Sequence, residues 1–484
     1  MWSSRSENQA GRTARLVNIV NNPILEYYRC REELADFYET AMLSDSSGFF
    51  RMGDAVCYGQ CSGGTPAQSI EESLYDCDAS IPVLNGHERV RLPFDPAQII
   101  TNLRMELYAG RRSALAALFH DCLHWSYYSV RPLMPVGVRR HLQKLHLHSR
   151  TQAAFPQWPV DCTVDNLAEQ FLRMAMLAKR RATVPFIWFW PEGMESAAIV
   201  THDVETQSGV NFCGALMDLN DSFGIKSSFQ VIPESRYPVS QTFLDNLRAR
   251  GFEVNVHDLN HDGHLFREHQ EFLRRVAKIN RYLRAFNAEG FRAGVMYRNQ
   301  QWFGALEASY DMSVPNAAHL DAQGGGCCTV MPYFVGNVLE LPVTATQDYA
   351  LFNILRDFSI SLWQREIETV RAKHGLISFV VHPDYIIEER PRATYRQLLR
   401  HLTELRAEGN VWFALPREVN EWWRQRSALR LVRRGSAWCI EGDGKERARI
   451  AYASLEGDKI IYRFESSPPR VSVGAGETSA ADWL

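Results

Sequence analysis

The chain has 484 residues, 45% hydrophobic and 23% charged, which suits a globular protein too long for one ordinary core. Its formal net charge of −3 gives no basis for a nucleic-acid partner or a polybasic membrane contact. No apolar run approaches membrane-spanning length. The N-terminus MWSSRSENQA lacks the apolar core of a signal peptide, so a cytoplasmic location is expected. The ten cysteines are scattered without a CxxC pair, which fits reduced thiols rather than a disulfide framework.

In chain order, residues 1–20 are polar and basic. Pro23 to Met42 carries a helical pattern (Leu25, Tyr28, Leu34, Phe37, Tyr38), and Gly53 to Gly64 reads as a loop. Asp95-Pro-Ala opens a helix, with Asp95 as cap, Pro96 in the first turn, and Ile99, Leu103 and Leu107 on one face. Arg112 to Val130 reads as a further helix. The basic helix after it holds His141, His146 and His148 on a solvated face. The turn Phe155 to Pro159 precedes a helix at Val164 to Lys179. Phe186 to Pro191, FIWFWP, reads as a buried strand or packing plug; an aromatic platform for a sugar ring is the other reading. Residues 1–190 are therefore expected to form a mainly helical region of unknown role.

From Ala197 onward, strands alternate with helices. Strands are expected at 197–203, 227–231, 253–257, 290–293, 339–343, 376–382 and 411–414. Helices are expected at 210–223, 242–250, 266–286, 302–309, 358–373, 394–408 and 418–426. This rhythm describes an α/β fold, an irregular (β/α) barrel of about seven parallel strands over residues 191–426. Residues 427–466 alternate like hairpins around Gly-Asp-Gly and Glu-Gly-Asp turns and read as a small antiparallel β appendage. Residues 467–484 read as a disordered tail.

Chemistry concentrates at two strand ends. In AAIVTHDVE, Ala197 to Glu205, an apolar strand runs into Asp203 and Glu205, which point the same way on extended backbone. In EVNVHDLNHDGH, Glu253 to His264, His257 and His261 stand four apart and share one side of a turn. One carboxylate with two neutral imidazoles suits zinc or a similar divalent ion and leaves positions open for water and substrate.

The series THDVE, HDLNH, FRAGVMYR, SYDMS and VVHPD resembles the ordered motifs of the polysaccharide deacetylase superfamily, metal-dependent amide and ester hydrolases on a seven-stranded barrel. The resemblance spans roughly residues 195–415. It implies Asp203 as catalytic base, His257 and His261 as metal ligands, Arg292 as the partner of the base, and His382 as general acid. Val204 stands where the family has its metal-binding aspartate, and Glu205 is expected to replace it, with Asp203 as the other possible ligand. Gly294 stands where the family has proline. Asp311 matches the acid of the fourth motif, without the tryptophan that follows it there. His202, Asp311 and Tyr297 are expected to touch substrate or to support the residues that do.

The expected function is a metal-dependent hydrolase, with zinc as the expected ion, removing acetyl groups from amino sugars of a polysaccharide or its precursor. Alternatives are hydrolysis of a C–N bond in a non-sugar amide, or glycan binding without turnover. The partner is a carbohydrate, with no nucleic acid and no membrane span; the oligomeric state is open.

Overall fold

The strand Ser196–Val204 is buried at every position and pairs on both edges. The computed structural model describes residues 22–109, apart from 40, 41, 82, 85 and 86, and residues 153–464. The expected helices between 112 and 148, with His141, His146 and His148, lie outside the described residues, as do residues 1–20 and the C-terminal tail.

One edge of Ser196–Val204 runs parallel to Leu376–Val380, with Ala197 against Leu376 and Thr201 against Val380. The other edge is shared. Ser228–Val231 takes its C-terminal half and the short strand Val411–Phe413 takes its start. The parallel ladder continues through Glu253–His257, Gly290–Arg292, Tyr310–Asp311 and Val338–Glu340. Tyr333–Val335 adds an antiparallel edge to this nine-stranded sheet. The two ends of the curl meet without a full ladder. Ala345 N–H donates to the Ser378 carbonyl at 3.1 Å, and the Thr344 hydroxyl donates to the Leu376 carbonyl at 2.7 Å while accepting from Ser378 N–H at 2.9 Å. Side-chain hydrogen bonding thus stitches the irregular barrel closed.

The helices that cover the sheet begin where the sequence supplies oxygen caps. Thr206 accepts from Gly209 N–H ahead of Gln207–Ser222, and Ser240 accepts from Phe243 N–H ahead of Gln241–Ala249. On Glu389–Ala407, Leu398, Leu399 and Leu402 repeat at helical spacing and are fully buried. Replacing any one of them by alanine costs about 2–5 kcal/mol.

The helical reading of Pro23 to Met42 is corrected. The helix spans Pro23–Tyr28 and stops at Arg29, whose φ of 52° is left-handed. Phe37–Glu39 is instead a strand parallel to Val90–Leu92. Phe37 is buried by tertiary contact, which imitates a helical pattern in the sequence. The expected helix at Trp302 to Ser309 is a 3₁₀ segment, Gln300–Ala305.

The C-terminal β region is tied to the segment ahead of the barrel. Ile450–Glu456 pairs with Lys459–Phe464 on one side and with Thr183–Ile187 on the other. Trp188, Phe189 and Trp190 are buried, so FIWFWP is a packing plug. Arg426, itself buried on the helix Pro416–Ala428, donates to the carbonyls of Tyr27, Ile187 and Trp188 and ties the barrel to the region ahead of it.

Candidate metal and acid–base site

Side chains alternate along a strand, so Thr201 and Asp203 face the barrel interior while His202 faces the helices. His202 Nδ1 lies 3.0 Å from the Val381 carbonyl and Nε2 lies 2.9 Å from Asn220 Nδ2. A carbonyl only accepts, so Nδ1 carries the proton and Nε2 accepts from the amide. Burial, the largest influence, lowers the His202 pKa to about 4 and keeps the ring neutral. His202 is therefore bonded within the fold, away from the acids of the barrel mouth.

Asp203 meets Arg292, whose Nη1 donates to Asp203 Oδ1 at 2.6 Å and to the Thr201 hydroxyl at 2.8 Å. Arg292 Nε is anchored on the Met312 carbonyl at 2.9 Å. Burial works against the ionised form of Asp203. Arg292 first, then His257 and His382, outweigh it and hold the carboxyl below its ordinary range.

Glu205 turns to the imidazoles. Its Oε1 lies 2.9 Å from His261 Nε2, 3.7 Å from His257 Nε2 and 3.4 Å from His382 Nε2. One ligand atom each from Glu205, His257 and His261 falls within 4.8 Å of the others. His257 Nδ1 lies 3.1 Å from the Arg292 carbonyl, which fixes the proton there and leaves Nε2 as an open lone pair. His257 Nε2 is buried without a hydrogen bond, and His261 Nε2 meets the Glu205 carboxylate while Arg236 Nη2 lies 3.2 Å from its Nδ1. Two imidazole nitrogens converging on one carboxylate, His257 Nε2 without a hydrogen bond of its own, fit a divalent cation. Asp203 Oδ2 stands 3.8 Å from His257 Nε2, so of the two acids Glu205 faces the pair of rings more closely.

His257 ends a strand; His261 follows a turn made possible by left-handed backbone at Asp258 and His261, both at φ 55°. Asp258 Oδ1 accepts from Leu259 N–H at 2.6 Å, while its buried Oδ2 has no hydrogen-bond partner. A Cβ at Gly294 would lie 2.4 Å from that oxygen and 3.0 Å from His261 Cδ2. The glycine at this position gives Asp258 and His261 their room.

His382 follows the strand Leu376–Val380, which pairs directly with the strand that carries Asp203. Its Nδ1 lies 2.7 Å from Asp348 Oδ1, and its backbone N–H donates to Asp348 Oδ2 at 2.7 Å. Burial disfavours the imidazolium, but Asp348 and then Glu205 outweigh it and raise the His382 pKa well above the ordinary value. Sequence reasoning missed Asp348. It opens the short helical turn that runs on through Ala350–Leu355, with no motif spacing to mark it.

Asp311 does not join the cluster. Its neighbour Tyr310 points inward to Asn255, so Asp311 faces outward, accepting from the amide and hydroxyl of Ser313 at 2.9 and 2.8 Å. Its neighbour in register is Glu340, also fully buried. Tyr297 is half-buried, with its ring packed beside Gly263 in the turn after His261.

No family model matches the sequence, and no match was found among curated proteins. Among solved structures, the chain is similar to a protein of Mycobacterium smegmatis assigned as a polysaccharide deacetylase. Identity is 19% and the TM-score 0.40, over 52% of this chain and 98% of that one. It is also similar to an allantoinase, at 14% identity and TM-score 0.37, over 49% of this chain and 92% of that one. The peptidoglycan deacetylase PdaC of Bacillus subtilis matches at 13% identity and TM-score 0.31, over 48% of this chain and 94% of that one.

Proposed function

We propose that this chain is a metal-dependent hydrolase that removes acyl groups, chiefly acetyl, from amino sugars of a polysaccharide or its precursor. The observation that carries the reading is the convergence of Glu205, His257 and His261 beside two separately wired proton-transfer groups, Asp203 and His382.

Glu205, His257 and His261 would hold a divalent ion, with zinc first among those that take one carboxylate and two imidazoles. When bound, such an ion supplies Lewis acidity, polarising a carbonyl and making water more acidic. Asp203, ionised by Arg292, takes the proton from the attacking water through its Oδ2. His382 gives a proton from Nε2 to the departing amine, while Asp348 at Nδ1 fixes the ring and sustains its charge. Base and acid thus have pKa values pushed apart by different partners, as a site that both removes and delivers a proton requires.

The test is metal analysis of wild-type protein beside the His257→Ala, His261→Ala double variant, with acetate release from chitin-type oligosaccharides measured on the same samples. About one metal per chain, lost in the variant together with acetate release, supports the reading. Metal without acetate release moves the substrate to another amide or ester. No metal after loading with zinc or cobalt overturns the hydrolase.

A further inference from the structure

Asp311 and Glu340 meet on the outer side of the barrel sheet. Asp311 ends the strand Tyr310–Asp311, Glu340 ends the parallel strand Val338–Glu340, and the two stand opposite each other in register. Both are fully buried, and their carboxyl groups are in hydrogen-bond contact. The guanidiniums whose charge they feel are bonded elsewhere, Arg292 to Asp203 and Arg298 to Glu106. Tyr333 and Cys327, which also stand near Glu340, are a phenol and a thiol that burial keeps neutral. Two buried carboxyls in contact, with no cation bonded to either among the described residues, are not both ionised.

The hydrogen bonds decide which of them holds the proton. Asp311 accepts twice from Ser313, at Oδ1 from the N–H at 2.9 Å and at Oδ2 from the hydroxyl at 2.8 Å. Glu340 Oε1 accepts from Val314 N–H at 3.0 Å, while its Oε2 is buried with no N–H or O–H donor among the described residues. An ionised carboxylate only accepts, so Asp311 is the carboxylate and Glu340 Oε2 is the O–H that donates to it. Burial first, and then Asp311, raise the Glu340 pKa well above its ordinary value, in keeping with that assignment.

What the two acids hold is the turn from Met312 to Val314. Arg292 Nε donates to the Met312 carbonyl at 2.9 Å, and Ala293 N–H donates to the Ser313 hydroxyl at 2.8 Å. Arg292 Nη1 carries the chain of bonds on to Asp203. We infer that Asp311 and Glu340 share one proton and serve as a positioning pair for Arg292, fixing the turn against which its guanidinium is set. Both acids act through that turn rather than on the substrate. Their effect on turnover rests on the hydrolase reading; the shared proton and the coupling to Arg292 do not.

The test uses the full zinc-loaded chain, wild type and Glu340→Gln, Glu340→Leu and Asp311→Asn. Glutamine keeps both contacts, its carbonyl accepting from Val314 and its amide N–H standing in for the proton; leucine keeps neither. The infrared spectrum of wild type minus Glu340→Gln is expected to show the carbonyl band of a protonated carboxyl group at neutral pH. On N-acetylglucosamine oligomers, Glu340→Leu and Asp311→Asn are expected to lose about 10²-fold in kcat, the scale of a small misplacement, with KM and zinc content unchanged. Glu340→Gln recovers most of that loss. Denaturant midpoints of Arg292→Met, Glu340→Leu and the double variant are measured in parallel, with a combined loss smaller than the sum expected. Absence of the band overturns the shared proton. Equal kcat loss in Glu340→Gln and Glu340→Leu, or additive midpoint losses, overturns the positioning role. A wild type that releases no acetate faults only the proposed reaction, and the band and the midpoints then decide the pair.

Discussion

Asp348 grips His382 at two points, one carboxylate oxygen on the ring Nδ1 and the other on the backbone N–H, each at 2.7 Å. The two bonds fix both where the imidazole sits and how it is turned. They also place a negative charge on the side away from the barrel mouth, leaving Nε2 to face Glu205 at 3.4 Å.

Asp348→Asn is expected to lower kcat by about 10²-fold, the scale of general acid catalysis. The sign on pH follows from the raised His382 pKa, which burial opposes and Asp348 chiefly sustains. Removing that charge lowers the pKa, so less imidazolium remains at a given pH and the alkaline limb of the kcat profile moves down in pH. An unchanged limb would deny His382 the acid role. A kcat–pH series on the zinc-loaded pair decides it.

Asp203 and Glu205 leave the same strand end with different partners, Arg292 for one and His261 for the other. Asp203→Asn should therefore keep the metal and lose roughly 10²–10⁴-fold in turnover. Glu205→Gln should weaken metal binding by more than the roughly 10–100-fold that loss of an outer partner costs. Metal titration and acetate release on both variants separate the two; retention of metal by Glu205→Gln with loss from Asp203→Asn would reverse the assignment.

Arg292→Met leaves Asp203 ionised and buried without its partner. The expected loss is about 3–5 kcal/mol of stability, with much of it regained in the Arg292→Met, Asp203→Asn double variant. Denaturant midpoints of the single and double variants measure the difference.

Arg298 and Glu106 form a second buried pair, 0% and 6% exposed, joining the segment after Arg292 to the region ahead of the barrel. Its Nε donates to Glu106 Oε2 at 2.7 Å. Glu106→Ala should cost about 3–5 kcal/mol, whereas replacing both partners by apolar residues should cost less. A double variant less stable than either single one would contradict this account of the interface.

His202 supplies a stability test independent of activity. Its folded pKa of about 4 lies below the ordinary histidine value, so the unfolded chain binds the extra proton first. Stability is then full above about pH 6.5 and falls as pH drops toward 4, by roughly 3 kcal/mol. His202→Gln should flatten that acid slope in pH-dependent denaturant unfolding, leaving the part that comes from Asp203 and Glu205, whose carboxyls are held below their ordinary range.

What the sequence determines here is local. Alternating apolar strands and capped helices mark the barrel, because burial on one face imposes periods of two and 3.6 on neighbouring residues. The same logic exposes the candidate site, since Asp203 and Glu205 leave one strand end together and His257 and His261 share one turn. Tertiary structure decides whatever depends on partners distant in the chain. Asp348 has no local signature, because its bond to His382 exists only once the barrel curls closed. Asp311 stands in a motif-like stretch, yet strand alternation turns it outward to Ser313. Phe37 and its neighbours share apolar spacing with a helix but pair as a strand, because Val90–Leu92 offers them an edge. Which of two neighbouring acids meets Arg292 and which meets the imidazoles is likewise set across the barrel, where three strand ends converge and no spacing along one strand records the distance.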